Sequence, residues 1–183
     1  MKSANKKNFY LLSGSPSAGK TTVLNALQQH GYTVVLEAAR KVISQFEIKY
    51  GKSLLDTSKA TYCKLLLKQC VLDYQNYVEH NEPVFFDCGL PDVAYAEQMI
   101  FGKITESTSL LISQQRYNQQ VFFFPPWREI YQADNLRQDY DDALYYQNYR
   151  TLQQIYRGQD YRIIEVPKLE SHERMKFVIE RVS

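Results

Sequence analysis

The sequence predicts an α/β fold, a three-layer sandwich in which a parallel sheet of five strands carries helices on both faces. Short apolar runs that suit strands alternate with longer segments of helical periodicity, and strands joined by helices form a parallel sheet. The run from Val84 to Phe86 is apolar throughout, which is typical of a strand covered on both faces. The 183 residues suit a single domain, 1–183, with a core of its own.

Each predicted strand is an apolar run bounded by polar or turn-forming residues. The five runs lie at about residues 8–13, 32–36, 84–87, 121–124 and 161–166. The first predicted helix has Val23, Leu24 and Leu27 at helical spacing. The helices lie at about residues 20–30, 38–50, 57–80, 91–100, 107–116, 139–157 and 171–181, with a loop at 51–56. Gly31 and Gly158 end two of the helices, Thr57 or Ser58 caps the longest one, and Pro91 opens another at its first turn.

The loop between the first strand and the first helix carries the most specific motif in the chain. Residues 14–21 read GSPSAGKT, a complete G-x-x-x-x-G-K-[ST] pattern in the strand–loop–helix context that a phosphate-binding loop requires. Its glycines let backbone N–H groups point inward at a phosphate, toward which the helix also aims its positive end. Lys20 is expected on the β- and γ-phosphates and Thr21 on Mg²⁺. The residues expected to hold the nucleotide are Gly14, Ser15, Ser17, Ala18, Gly19, Lys20, Thr21 and Thr22.

This motif makes the predicted fold that of a P-loop NTPase, with ATP and Mg²⁺ as cofactors. An ordinary glycine turn between a strand and a helix is the alternative interpretation. ATP is favoured over GTP because the chain has no Asn-Lys-x-Asp sequence of the kind that recognises guanine.

Several polar residues follow the predicted strands, and parallel sheets bind ligands beyond the carboxyl ends of their strands. Asp87 is expected to hold Mg²⁺ or its water, although it also suits a turn. Glu37 is expected to accept a proton from the acceptor or to bind its sugar. Arg40, on the same helical face, is expected to bind an anionic group of the acceptor or the transferred phosphoryl group. A helix-start acid beside a solvated arginine is the alternative. Asp92 and Tyr95 are expected in the acceptor pocket, but Asp92 fits the start of a helix equally well.

The polar segment at about residues 125–140 begins with a double proline after the fourth strand and is expected to form a lid. An arginine on a lid neutralises charge on the group being transferred. Arg137 is the first candidate for this role and Arg128 the second. An ordinary charged surface loop is the alternative.

The composition argues against several other classes of protein. A net charge of +2 creates no strong field for nucleic acid or a membrane surface, and no apolar stretch is long enough to span a bilayer. Cys63, Cys70 and Cys88 have no pairing pattern, which fits a reducing compartment. Residues 1–7 form a polar tail that is not followed by the apolar core of a signal peptide. These features predict a cytoplasmic protein.

The motifs above resemble those of the AAA_28 type of short P-loop proteins, described as predicted ATPases or kinases. That family is similar to the ribosylnicotinamide kinase domain of the bacterial NAD-biosynthesis regulator and, more distantly, to thymidylate kinase. The resemblance spans nearly the whole chain, in blocks at residues 14–22, 37–40, 86–92, 125–127, 134–137, 161–167 and 173–174. It implies a fold like that of nucleoside and nucleotide kinases, with a lid. One departure is Cys88, where the family often has arginine, so a basic residue's role at this position is not carried over.

Three functions fit these residues. The first is ATP- and Mg²⁺-dependent phosphoryl transfer to a small acceptor such as a nucleoside or nucleotide, with Lys20, Glu37, Asp87 and Arg137 as the catalytic residues. The second is a slow ATPase that acts as a nucleotide-dependent switch read by a protein partner. The third is a module that binds nucleotide without turnover. Glu37, Arg40 and the lid favour transfer, while neither the acceptor nor the oligomeric state follows from the sequence. The chain has no room for the second helical domain of a ring-forming motor.

Overall fold

The computed structural model of the protein describes residues 4–36, 38–130 and 141–182. Within these residues the strands are β1 (Ala4–Asn5), β2 (Phe9–Gly14), β3 (Thr33–Val35), β4 (Val84–Phe86), β5 (Gln115–Arg116), β6 (Gln120–Phe124) and β7 (Arg162–Glu165). The helices are α1 (Lys20–Gln29), α2 (Ala38–Tyr50), α3 (Leu54–Thr57), α4 (Lys59–Asn76), α5 (Leu90–Phe101), α6 (Glu106–Gln114), α7 (Asp142–Arg157) and α8 (Ser171–Ile179). One 3₁₀ turn covers Arg128–Ile130.

Five of the strands form one parallel sheet in the order β3-β4-β2-β6-β7. The central strand is β2, in which Leu11 pairs with Phe86 of β4 on one side and with Val121 of β6 on the other. The chain fills the sheet on one side of β2 before it crosses to the other, and ligands of such sheets bind where the direction of crossing changes. The loops after β2, β4 and β6 therefore meet at one end of the sheet. The predicted fold class, a five-stranded parallel sheet with helices on both faces, is confirmed.

Alternate side chains of the central strand enter two separate cores. Phe9 and Leu11 pack on the face covered by α4, α5 and α7, whereas Tyr10 and Leu12 pack on the face covered by α1 and α8. All four are at most 1% exposed. Because successive strand residues point to opposite faces, a strand with both faces covered buries every residue, which explains the unbroken apolar runs in the sequence.

Local hydrogen bonds shift several helix boundaries from their predicted positions. A short helix, α3, lies at the end of the predicted loop and extends past it, since the Ser53 hydroxyl accepts a hydrogen bond from the N–H of Asp56 and caps its first turn. Ser58 is extended and separates α3 from α4, and its Oγ accepts from the N–H of Thr61 at 3.1 Å. Of the two predicted caps, Ser58 is therefore the right one. The long helix ends at Asn76, earlier than predicted.

A second, two-stranded sheet lies beside the main one. Ala4 and Asn5, within the segment that the sequence predicts as a polar tail, form β1 and pair with Gln115 and Arg116 of β5. The backbone N–H of Lys6 extends this pairing by donating to the carbonyl of Arg116 at 2.9 Å. Helix α6 accordingly stops before its predicted end, because its last predicted residues join a strand. None of the described helices combines the length and the apolar character needed to cross a lipid bilayer.

Candidate active site

The phosphate loop, residues 14–21, lies against the end of β6. Gly14 has a φ of 124°, and a Cβ on it would overlap the carbonyl oxygen of Phe124 and lie 2.6 Å from the Phe124 nitrogen. The N–H of Ser15 donates to that same carbonyl oxygen at 2.9 Å. Ser17 and Gly19 also have positive φ, 53° and 82°. A backbone in which the sign of φ changes between neighbouring residues turns several N–H groups toward one point, which is the geometry of an anion site.

Lys20 is the first residue of α1, and its ammonium lies over the phosphate loop. Its Nζ donates to the carbonyl of Ser15 at 2.7 Å and to that of Gly14 at 3.3 Å. The N-terminal end of α1 adds the partial positive charge of the helix dipole at the same place. Two sources of positive charge therefore converge where the motif predicts the phosphates.

One cavity of about 870 Å³ opens at this end of the sheet. It is lined by six of the eight residues predicted to hold nucleotide: Gly14, Ser17, Gly19, Lys20, Thr21 and Thr22. The other two, Ser15 and Ala18, have buried side chains, so they can contact a ligand only through their backbone atoms. Arg40, Asp92 and Tyr95, three of the four predicted acceptor residues, also line the cavity, as does the metal candidate Asp87.

Two of the predicted catalytic residues, Glu37 and Arg137, lie outside the described residues. Their neighbours in the chain are described. Arg40, three residues after Glu37 in the sequence, lines the cavity, and so does Trp127, ten residues before Arg137. The roles of Glu37 and Arg137 remain predictions from the sequence.

Asp92 both caps a helix and lines the cavity. Its Oδ2 accepts from the N–H of Gly89 at 2.8 Å and from the hydroxyl of Tyr156 at 2.7 Å, and its Oδ1 accepts from the hydroxyl of Ser13 at 2.7 Å. Burial raises the pKa of the Asp92 carboxyl, and these hydrogen bonds and the charge of Lys20 oppose that rise. Asp92 thus ties α5, α7 and β2 together, and of its three hydrogen bonds the one from Gly89 is that of an acid at the start of a helix.

The site also contains oxygen donors suited to Mg²⁺. The Thr21 hydroxyl and the Asp87 carboxylate are hard ligands, and both residues line the cavity beside Lys20. Among the described residues, no three His, Cys, Asp or Glu side chains cluster to form a dedicated metal site. Mg²⁺ that binds together with a nucleotide needs only one or two protein ligands, because phosphate oxygens and waters complete its shell. The residues present therefore fit this cofactor.

Cys88 follows Asp87 directly and sits close to a second cysteine. Its Sγ is 3.8 Å from the Sγ of Cys70. The hydrogen bond with Cys70, together with burial, raises the pKa of the Cys88 thiol well above its usual value. Because the thiolate is the reactive form of cysteine, this thiol is a poor nucleophile. It therefore presents a small neutral group at the position where the family often has arginine.

The sequence interpretation missed an apolar wall of the cavity. This wall consists of Ile43, Leu55, Tyr62 and Leu66, which come from α2, α3 and α4. The helical periodicity of these segments indicates an apolar face, but it does not tell whether that face meets the sheet or a ligand. Arg174 of α8 also lines the cavity and was not predicted to.

Arg128 and Tyr145 connect the start of α7 to the phosphate loop. The Nε of Arg128 donates to Oδ1 of Asp142 at 2.6 Å, and its guanidinium lies 5.0 Å from the ring centre of Tyr145. The Tyr145 hydroxyl donates to the carbonyl of Pro16 at 2.7 Å. These contacts join α7 to the 3₁₀ turn at Arg128–Ile130 and to the phosphate loop.

A parallel sheet whose central strand runs into a G-x-x-x-x-G-K-T loop defines the P-loop class of proteins. Within this class the chain belongs to the AAA_28 family, whose model, described as an AAA domain, matches residues 9–174. The resemblance inferred from the sequence motifs is therefore confirmed. None of the curated protein sequences compared with the chain matches it.

Solved structures of similar fold include a deoxyadenosine kinase and two further proteins, NadR and YorR. The chain is similar to the NadR protein in complex with NR, with a TM-score of 0.66, 13% identity and coverage of 97% of this chain and 52% of NadR, about half of that protein's length. It is similar to deoxyadenosine kinase from M. mycoides with bound dATP, with a TM-score of 0.64, 10% identity and coverage of 94% and 97%. It is also similar to YorR from Bacillus subtilis, with a TM-score of 0.54, 13% identity and coverage of 94% of each chain. At these identities the likeness shows a shared fold, that of P-loop nucleoside kinases.

Proposed function

We propose that the protein transfers the γ-phosphoryl group of ATP, with Mg²⁺, to a small acceptor such as a nucleoside or nucleotide. The observation that carries this proposal is the single cavity of about 870 Å³ that the phosphate loop shares with Arg40, Asp92 and Tyr95. Pockets for ligands of drug size measure roughly 300–1,000 Å³. An enzyme that only hydrolyses ATP needs room for a water molecule beside the phosphates, not for a second polar region with an apolar wall.

On the donor side, the phosphate loop would hold the β- and γ-phosphates through its backbone N–H groups, and Lys20 would add its ammonium. Thr21 and Asp87 would hold Mg²⁺, which when bound neutralises charge that builds up on the phosphate oxygens. In this class of reaction most of the rate enhancement comes from positioning and from electrostatic stabilisation. The chain's own residues supply both in the proposed site.

On the acceptor side, the apolar wall and Tyr95 suit a flat, largely apolar body, while Arg40 suits an anionic or hydroxyl-bearing group. Glu37 would accept the proton of the attacking hydroxyl. The proteins of similar fold support this class of acceptor, since NadR was solved with NR and the M. mycoides kinase with dATP. Asp92 would contribute to the shape of the pocket rather than to proton transfer, because both of its oxygens already accept hydrogen bonds.

A slow ATPase acting as a switch is the second candidate, and one observation favours it. The hydrogen bond from Tyr145 to the carbonyl of Pro16 joins the phosphate loop to α7, so a change in the loop on nucleotide hydrolysis would reach the segment before that helix. The two candidates differ in a measurable way, because only the kinase consumes ATP faster when an acceptor is present.

The proposed function is tested by measuring ATP consumption with Mg²⁺ across a panel of nucleosides, nucleotides and small alcohols. We expect one class of acceptor to raise the rate above background and to yield a phosphorylated product. Arg40→Ala should then lower transfer about tenfold or more, since a hydrogen bond to a charged group contributes roughly 1.5–3 kcal/mol. It should leave ATP binding unchanged, because Arg40 is assigned to the acceptor.

The matched control is Lys41→Ala, which removes the exposed lysine that follows Arg40 in α2. It should change neither the rate of transfer nor the affinity for ATP. ATP consumption that no acceptor stimulates, and that Arg40→Ala does not alter, would support the switch instead of the kinase.

The lid gives a second prediction. Arg137→Ala should lower turnover by about 10²-fold or more, as the loss of other charge-stabilising donors does, while Mg²⁺-ATP affinity changes little. Arg128→Ala should have a smaller effect, because the Arg128 guanidinium is engaged with Asp142 and Tyr145. Steady-state rates and ATP dissociation constants of both variants provide the measurement. A larger loss in Arg128→Ala would assign the role to Arg128, and wild-type rates in both would make the segment a surface loop.

A further inference from the structure

Arg174 is a buried arginine directly behind the phosphate loop. It lies on α8 with only 4% of its surface exposed, and it lines the cavity. Its Nη1 donates to the carbonyl of Ala18 at 2.8 Å. Its guanidinium lies 5.1 Å from the ring centre of Trp127 and 5.4 Å from that of Phe124. The side chain is therefore held in one place by a hydrogen bond and two aromatic rings.

The charge of Arg174 is offset only in part, by the more distant carboxylate of Glu170. No carboxylate of the described residues forms an ion pair with it, and its Nε is buried without a hydrogen-bond partner. Burial lowers the pKa of the guanidinium, with Glu170 opposing that effect. A buried cation without an ion-pair partner lowers the stability of a fold. The guanidinium has five N–H donors, and its contacts in the structure are one carbonyl and two aromatic rings, so most of its donors have no acceptor in the part of the chain that the structure describes.

The position of this charge indicates what could balance it. A Cβ on Gly19 would overlap Nη2 of Arg174 and lie 3.1 Å from its Cζ, so the guanidinium packs directly against the Gly19 backbone. Gly19 caps the N-terminal end of α1, and Lys20 is the next residue. Arg174, the Lys20 ammonium and the positive end of α1 thus concentrate positive charge around the phosphate loop. A polyanion in the loop would balance all three.

We propose that Arg174 is a positioning residue of the phosphate site, and this inference rests on the proposed function. It holds the Ala18–Gly19 backbone in the shape that binds phosphate, and the phosphates of the bound nucleotide supply the negative charge that its buried guanidinium lacks. In the free protein its only partly offset charge contributes little stability. In the complex the same charge increases the affinity for a polyphosphate, whatever base the nucleotide carries.

The test compares Arg174→Met, which keeps the length and apolar contacts of the side chain, with Arg181→Met. Arg181 is a useful match, because its guanidinium lies 3.7 Å from the ring centre of Phe177 and its Nη1 donates to the Phe177 carbonyl at 2.9 Å. It differs in lying in the exposed turn after α8, where it also forms an ion pair with Glu180 at 3.7 Å. The melting temperature of each ligand-free variant is measured, together with its dissociation constants for Mg²⁺-ATP and for inorganic tripolyphosphate.

For Arg174→Met we expect a melting temperature equal to or above that of the wild type, with affinity for both ATP and tripolyphosphate reduced about tenfold or more. Arg181→Met should change none of these quantities. Arg174→Lys, which keeps the charge but not the planar group, should lose less affinity than Arg174→Met. If Arg174→Met does not fold, Arg174→Gln takes its place, because its amide retains a donor for the Ala18 carbonyl.

Three results would overturn the inference. A lower melting temperature with unchanged affinity for both ligands would make Arg174 a structural arginine only. Weaker ATP binding with unchanged tripolyphosphate binding would assign its charge to another part of the nucleotide. An Arg174→Lys variant as impaired as the neutral one would remove the role of charge. A wild-type protein that binds neither ligand would instead contradict the proposed function itself, so the two failures are distinguishable.

Discussion

Lys20→Ala is expected to remove most of the stabilisation that Mg²⁺-ATP gives to the fold. A ligand that binds only the native state stabilises it by about 2.7 kcal/mol at one hundred times its dissociation constant. Without nucleotide, the Lys20 ammonium donates to the Ser15 and Gly14 carbonyls, so it is already held over the loop. Alanine would remove the one ammonium group that is predicted to contact the phosphates. Turnover should fall about 10²–10³-fold, as it does when one donor to a developing negative charge is lost.

The measurement is the shift in melting temperature on adding Mg²⁺-ATP, followed by the rate of ATP consumption. Lys103→Ala is the control, since it removes an exposed lysine that lies in the turn between α5 and α6. It should melt and bind as the wild type does. A Lys20→Ala variant with a full nucleotide-induced shift would show that the phosphate loop does not hold phosphate.

Gly14→Ala should have the largest effect on the fold itself. At a φ of 124° a side chain is strained whatever its surroundings, and here the new Cβ would also overlap the carbonyl oxygen of Phe124 in the neighbouring strand. Backbone strain of this kind costs about 1–3 kcal/mol, and forcing extra atoms into a packed region costs about 1–3 kcal/mol more. Because the Phe124 backbone belongs to the central part of the sheet, it has little freedom to move away.

Gly102→Ala separates the two contributions. Gly102 also has a positive φ, 70°, but a Cβ there would meet nothing within 4 Å. It should therefore show the backbone cost alone, about 1–2 kcal/mol. Urea unfolding of both variants gives the comparison, and equal losses would contradict the predicted overlap between Gly14 and Phe124.

The fold and the centre of the site could be predicted because their signals are local. The phosphate loop is one unbroken motif, and Asp87 directly follows a strand whose apolar character is visible in three residues. Placing both at one edge of the sheet needed only the rule that ligands bind at the carboxyl ends of parallel strands. The structure brings Lys20, Thr21 and Asp87 to one cavity, as that rule predicts.

The features that could not be predicted depend on contacts between distant parts of the chain. Tyr62 and Leu66 have helical spacing in the sequence, but only the packing of α2 on α4 directs them to the cavity. Arg174 has no local signature of burial, because its partners are Ala18, Phe124 and Trp127. The tertiary contacts of Tyr62, Leu66 and Arg174 override local propensity. Helix α3 was not predicted for a different reason, since a local hydrogen bond to Ser53 forms its first turn within the predicted loop.

The central position of β2 has a consequence for a chain that is synthesised from its N-terminus. This strand emerges from the ribosome before its two neighbours, β4 and β6, which follow only after several helices. Until Phe124 is available, the Ser15 N–H lacks the carbonyl to which it donates in the finished protein. Pairings that close long stretches of chain form slowly, and unpaired strand edges invite aggregation. The phosphate loop therefore takes its final shape only after β6 has been synthesised and has paired with β2, so nucleotide can assist only the folding steps that follow this pairing.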